Sequence, residues 1–466
     1  MKKRLFMFAT AALMLAACSN DGEVAVNDGA AQLQSGSGVV AFDTYTSSAT
    51  KANAWSGKAG VMNTTTLKDT EANGGGFGVF ATYSDGTPGS YAPEQGPNFM
   101  YNQKVLWNST ALGWEYTPLK YWPNETANDS QSPSNATMGS RVDKLTFFAY
   151  APFVASSATP ADAAKGELAG VTYETGTPAA DQYGIIKITA NDATTDPKVT
   201  YRVSKDATKT VDLLWGIAPA GGLNYTAVNG TPIAIDEGEP LINLIKPDKD
   251  QKIKFLFQHA LSRINFTVVG AFDQIAPGGK KDEKTKVLVE KVDVFEGTAG
   301  SIKTDGVLNL NNGTSEWAAN WETKTGGDYR ATALFSVANT ELTASIKDGG
   351  AVAFGSQPNG VTTTETPLFA DASKFFAVIP SAGTEFVVEI TYYVQTLDAA
   401  LAPTGSVDGS RVKNVVRVPV TVDLQNNKSY NFRLILGLTS VKLVAEVADW
   451  ELAGDVDAYL PQNTAE

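Results

Sequence analysis

Cys18 is the single cysteine and His259 the single histidine of this 466-residue chain. The two side chains that most often act as nucleophile, base or metal ligand therefore each occur once. One cysteine cannot close an internal disulfide and leaves no second thiol for a cysteine–metal cluster. One histidine rules out multi-histidine zinc sites and allows a Ser-His-Asp triad only if His259 is itself the base. His259 ends an alternating run and has no partner histidine or cysteine, so it reads as a structural histidine at a strand end. The 50 Asp and Glu residues scattered along the chain leave a glycosidase-type carboxylate pair as the enzyme chemistry still open. Trp107, Trp114, Trp122, Trp317 and Trp321 could stack on sugar rings, although turn and core positions are commoner for tryptophan. The expectation is a protein that is not an enzyme and holds no cofactor or metal.

The residues before Cys18 assign it another chemistry. Met1-Lys2-Lys3-Arg4 is basic, Leu5 to Leu15 is apolar, and Ala16-Ala17 supplies small residues at a cut site. This is the layout of a secretory signal over residues 1–17, and the apolar run is too short to span a bilayer stably. Leu15-Ala16-Ala17-Cys18 resembles a bacterial lipobox, in which the chain is cut between Ala17 and Cys18 and the cysteine thiol is diacylated. An ordinary signal peptide with an incidental cysteine is the competing reading. Ser19-Asn20-Asp21-Gly22-Glu23 looks like the acidic tether of lipoproteins exported to the outer face of a Bacteroidales-type outer membrane. Residues 18–38 are rich in small and polar types without a basic residue, as in a flexible tether.

Next comes a short β-prone run, Val39-Val40-Ala41-Phe42 and on to Tyr45, with Val40 and Phe42 on one face. A small-polar loop follows, and it contains Lys51, the first basic residue after Cys18, followed by Ala52 and then Lys58. A protease specific for basic residues could cut after Lys51 or Lys58 and leave the body one strand short. The run then reads as a removable, exchangeable strand. A permanent edge strand is the other reading the residues allow.

The body is predicted to be all-β. The chain is 43% hydrophobic with 42 glycines and shows no sustained helical stripe, only short apolar or alternating runs between turns. Asp143 to Pro152 is apolar on both faces, as a central strand would be. Ile253, Phe255, Phe257 and His259 alternate with Lys254, Leu256 and Gln258. The C-terminal part alternates through Val412, Val416, Val418, Val420 and Val422, then Tyr430, Phe432, Leu434, Leu436 and Leu438. Pro247-Asp248-Lys249-Asp250 places proline and charge between apolar stretches and is the best linker candidate. Residues 39–248 and 249–466 are accordingly expected to be two domains. The formal charge is −13, and it becomes more negative once Lys2, Lys3 and Arg4 leave with the signal. A surface that acidic repels phosphate backbones, so nucleic acid is not an expected partner.

Six motifs occur in an order similar to that of the fimbrillin (Mfa-like) family of Bacteroidales fimbriae. They are Phe77-Gly78-Val79, Tyr121-Trp122-Pro123, Leu145 to Pro152, Val211-Asp212-Leu213-Leu214, Phe257 to Ile264 and Val447-Ala448-Asp449-Trp450. The resemblance implies two transthyretin-like β-sandwich domains in tandem and a subunit of a surface filament of the type V pilus kind. It also implies export as an outer membrane lipoprotein through Cys18, and removal of the anchor with the first strand by a trypsin-like protease. Other subunits would then donate a strand to the vacated groove, placing the mature chain in a cell-surface fimbrium. Many relatives carry arginine where this chain has Lys51, so a Lys-specific or broader protease, or no cut, also fits. An uncleaved anchor or tip adhesin binding host protein or glycan, and a surface glycan-binding lipoprotein, are the alternatives. The C-terminal strands Tyr430 to Leu438 and Val441 to Val447 are the donor candidates.

Overall fold

The computed structural model describes residues 39–46, 61–84, 90–123, 143–190, 196–228, 230–248, 251–270, 285–313, 317–343, 366–371, 374–397, 400, 409–436 and 441–449. Among them the chain is almost entirely strand, with helical pieces of only three or four residues. The all-β class expected from the short alternating runs is what forms.

The first sheet is built mostly from the N-terminal half. Its order runs from the opening strand Phe42–Thr46 through Ile253–His259, Leu214–Ile217, Lys144–Ala151, Phe77–Ser84 and Met100–Asn108 to Gly113–Glu115. Lys144–Ala151 lies at its centre and is buried at nearly every position, as its two-sided apolar sequence requires. Phe77–Ser84 starts abruptly because the chain turns through Gly76, whose φ is +85°. A Cβ there would stand 2.7 Å from the Val105 carbonyl oxygen, so only glycine fits this close approach.

One face of this sheet encloses a core rich in aromatic rings, including Phe42, Phe77, Phe147, Phe255 and Phe257. The opposite face carries Phe80, Phe148, Tyr150, Trp215 and Leu256 into a second, larger core. There they meet a four-stranded sheet ordered Asn320–Thr325, Asp305–Asn309, Lys198–Arg202 and Gly184–Thr189.

The larger core continues between two C-terminal sheets. Ser262–Gly270 pairs in parallel with Lys428–Leu436, which pairs with Val441–Asp449. Facing it are Phe335–Ala338, Thr285–Glu296, Thr384–Leu397 and Gly409–Val422. Phe432 on one sheet meets Phe386 on the other with ring centroids 5.6 Å apart, and Phe335 stacks on Phe376 at 4.1 Å. Tyr430, Phe432, Leu434 and Leu436 are all buried, as their alternation predicted; Leu438 lies outside the described residues. The even-numbered residues of Gly409–Val422 share a face as expected, but Val412 is 60% exposed, whereas Val416, Val420 and Val422 pack against the core. Glu389 pairs with Arg417 on the neighbouring strand.

The chain leaves the first sheet after His259. Ile253–His259 pairs with the opening strand and with Leu214–Ile217, while Asp305–Asn309 reaches back to Lys198–Arg202. The linker candidate is itself tied down, because Asp248 donates its backbone N–H to the Thr226 carbonyl at 3.0 Å. Alternation identifies a half-buried strand but carries no information about which sheet it joins.

Candidate functional site: the opening strand and its seam

The exchangeable strand expected at Val39 to Phe42 is an edge element whose inward side chains reach the centre of the smaller core. Phe42–Thr46 runs parallel to Ile253–His259, with Phe42 opposite Ile253 and Thr46 opposite Phe257. Two residues earlier the chain bonds to the other rim of the same curled sheet. Val39 bridges Tyr121, and Val40 donates its N–H to the Lys120 carbonyl at 3.0 Å. The strand thus spans the gap between Ile253–His259 and the segment after Gly113–Glu115. It closes the seam of the sheet.

The side chains obey the same logic. Val40 is fully buried, Phe42 is 1% exposed and Ala41 is 4% exposed. The Phe42 ring lies 5.5 Å from Tyr116, 5.9 Å from Phe147, 6.1 Å from Phe255 and 6.2 Å from Phe77 by ring centroids. Such edge-on and offset arrangements add to the area term. Tyr116 donates its hydroxyl to the Val40 carbonyl at 2.7 Å. Burial pushes that phenol up to about 12, so it remains a neutral donor across the physiological range.

Further along, the inward face becomes polar. Thr44 and Thr46 are buried; Thr46 finds the Thr64 hydroxyl at 3.0 Å, whereas the buried Thr44 Oγ1 has no hydrogen-bond partner among the described residues. An unpaired buried hydroxyl destabilises the strand that carries it. Thr44→Val, which keeps the β-branched shape, is expected to raise the stability of the unprocessed chain by about 1 kcal/mol. Chemical denaturation checks this, and a destabilised variant would show that the hydroxyl is satisfied in solution.

Beneath the seam lies a buried polar knot that the spacing of residues does not reveal. The Asp212 carboxylate accepts the Met62 backbone N–H at 2.8 Å and lies 2.9 Å from His259 Nδ1, with both side chains fully buried. His259 is thus a structural histidine, and its partner is a carboxylate 47 positions away in sequence. The knot ties the segment at Met62, the approach to Leu214–Ile217 and the end of Ile253–His259 into one unit. Only Asp212's place in a recurring motif hinted at its importance.

Four of the tryptophans that could stack on sugars are committed elsewhere. Trp114 and Trp122 are buried in the smaller core. Trp107 packs on Trp114 at 5.4 Å and beneath the Lys68 ammonium at 4.2 Å, and Trp321 donates its indole N–H to the Ala260 carbonyl at 2.9 Å. No group of three His, Cys, Asp or Glu side chains placed to hold a metal occurs among the described residues. Ala17, Cys18, Lys51, Ala52 and Lys58 lie outside the described residues.

No protein-family model matches the chain. Over 156 residues, a third of its length, it is 31% identical to fimbrium subunit Fim1C of Phocaeicola vulgatus. That stretch spans 31% of the relative, so the chain covers about a third of the relative's length. A crystal structure of a fimbrial protein from Bacteroides vulgatus aligns over 89% of this chain and 99% of its own, with 18% identity and a TM-score of 0.49. The fimbrial anchor protein Mfa2 from Porphyromonas gingivalis aligns over 88% and 97%, with 11% identity and a TM-score of 0.26. The ordered motifs and the matched stretch of Fim1C point the same way: this all-β chain resembles the fimbrial subunits of the Bacteroidales.

Proposed function

We propose that the chain is a structural, non-enzymatic subunit of a cell-surface fimbria, exported as a lipoprotein acylated at Cys18. On this reading it matures by cleavage after Lys51 or Lys58, which removes residues Val39 to Thr46 with the lipid. The carrying observation is the position of the opening strand: it is an edge strand, yet its inward residues Val40 and Phe42 plug the smaller core. Loss of these two side chains would uncover about 3–6 kcal/mol of apolar burial. It would also expose the backbone groups of Ile253–His259 as a template for an incoming strand.

The donor in this scheme is Val441–Asp449 of another copy. Among the described residues that segment is the outer strand of its sheet and pairs only with Lys428–Leu436, so its release breaks that one ladder. Lys428–Leu436, the other candidate, is flanked on both sides and carries four buried core residues. Groove and donor lie in different sheets of the subunit, so each contact is heterologous and repeats head to tail into a filament. The two tandem sandwich units of this proposal divide after His259.

N-terminal sequencing and intact mass of protein sheared from the cell surface test the scheme. The expected start is Ala52 or Ala59 without lipid, and assembled filaments that begin at acylated Cys18 would overturn it. A Lys51→Ala, Lys58→Ala double variant is expected to reach the surface lipidated and unassembled. Filaments formed by that variant at the wild-type level would remove the cleavage step from the proposal.

A further inference from the structure

We propose that a second site on this chain, remote from the opening strand, binds a saccharide. A cavity of about 470 Å³ opens where the end of Ile253–His259 meets the Trp317–Ala319 segment and the turn from Asp423 to Lys428. Its volume is in the range of pockets that hold small ligands. Gln258, Trp317, Gln425, Asn426 and Asn427 line it, together with Lys428.

The chemistry of that lining is unusual for a surface crevice. Four of these side chains are primary amides, and among the described residues no carboxylate lines the cavity. Each amide offers a carbonyl acceptor beside NH2 donors, the pattern that matches adjacent sugar hydroxyls, which donate and accept at neighbouring positions. Gln258 is only 5% exposed and lies on the strand face opposite Phe257, yet its amide makes no hydrogen bond among the described residues. Asn427 Oδ1 is likewise buried with no hydrogen-bond partner there. Gln258 is therefore an uncommitted amide at the cavity wall, able both to donate to and to accept from the hydroxyls of a ligand.

The backbone holds these groups in place at a cost. Trp317 has φ of +59° and Asn427 has φ of +57°, and for a bulky tryptophan this is a strained conformation of the kind found at ligand clamps. Asn426 holds the first of them, donating its amide to the Trp317 carbonyl at 2.9 Å and accepting the Ala319 N–H at 3.4 Å. The indole is braced on Gly238, where an added Cβ would approach Trp317 to 3.2 Å. A rigid aromatic plate beside a set of amides provides a stacking surface for the C–H face of a sugar ring. This inference does not rest on strand exchange, and the cavity is made of residues that processing would leave untouched.

The test uses the full chain and a panel of maltotriose, cellotriose, chitotriose, lactose and sialyllactose, read by saturation-transfer NMR and calorimetry. At least one sugar is expected to bind with a Kd of about 1 mM or tighter. Asn427→Gly keeps the left-handed backbone and deletes the acceptor, and it should weaken that binding at least about tenfold. Trp317→Gly should abolish it, with circular dichroism and thermal melting confirming the fold. Binding of none of the sugars would overturn the proposal, as would binding that both variants leave unchanged.

Discussion

Phe42→Ala lowers the unfolding free energy of the unprocessed chain by about 3–5 kcal/mol, the cost of truncating a large ring in a core that cannot collapse around the void. The ring is 1% exposed and packs against four other aromatic rings from separate segments of the chain. Its neighbours Phe77, Phe147 and Phe255 sit on strands held by other ladders and cannot follow it inward. Guanidinium denaturation of the purified unprocessed protein measures the loss, and a change below about 1 kcal/mol would mean that the opening strand does not plug the core in solution. The same substitution bears on the strand-exchange proposal. If the strand is removed on maturation, Phe42→Ala leaves the stability of assembled filaments unaltered while destabilising the precursor.

Asp212→Ala is the second large effect, with an expected loss of about 3–5 kcal/mol. Removing this carboxylate takes away the acceptor of the Met62 N–H and the charged partner of His259 Nδ1 in a fully buried site, where water does not replace it. Replacing both members of the pair, as Asp212→Leu with His259→Leu, is expected to cost markedly less than the sum of the single changes, because breaking a buried pair is worse than replacing it whole. Thermal and chemical denaturation of the wild type, Asp212→Leu, His259→Leu and the double variant yield the coupling directly. Additive losses would show that the two side chains do not act as a unit.

These two residues mark how far the chain can be read in one dimension. Period-two alternation determines which side chains share a face. Val40 and Phe42 on one side of the opening strand, and Tyr430 to Leu436 on one side of a C-terminal strand, were therefore legible without any knowledge of their neighbours. The all-β class follows from the same runs and from glycine-marked turns such as the one at Gly76. The lone cysteine and histidine excluded most metal and nucleophile chemistry by counting alone.

Partnership is another matter, because strand pairing is non-local and the backbone groups that make it are the same in every residue. Only the tertiary structure decided that Ile253–His259 belongs to the first sheet, that Asp212 completes His259, and that Lys120 and Tyr121 form the other rim of the seam. It also separated the tryptophans, which look equivalent in sequence. Trp114 and Trp122 are core residues, whereas a left-handed backbone braced by Asn426 and Gly238 sets Trp317 at the edge of an amide-lined cavity. Residue type fixed what each side chain could do, and which groups meet depended on contacts between segments far apart in the chain, whose closure entropy is recovered only when the whole sheet assembles.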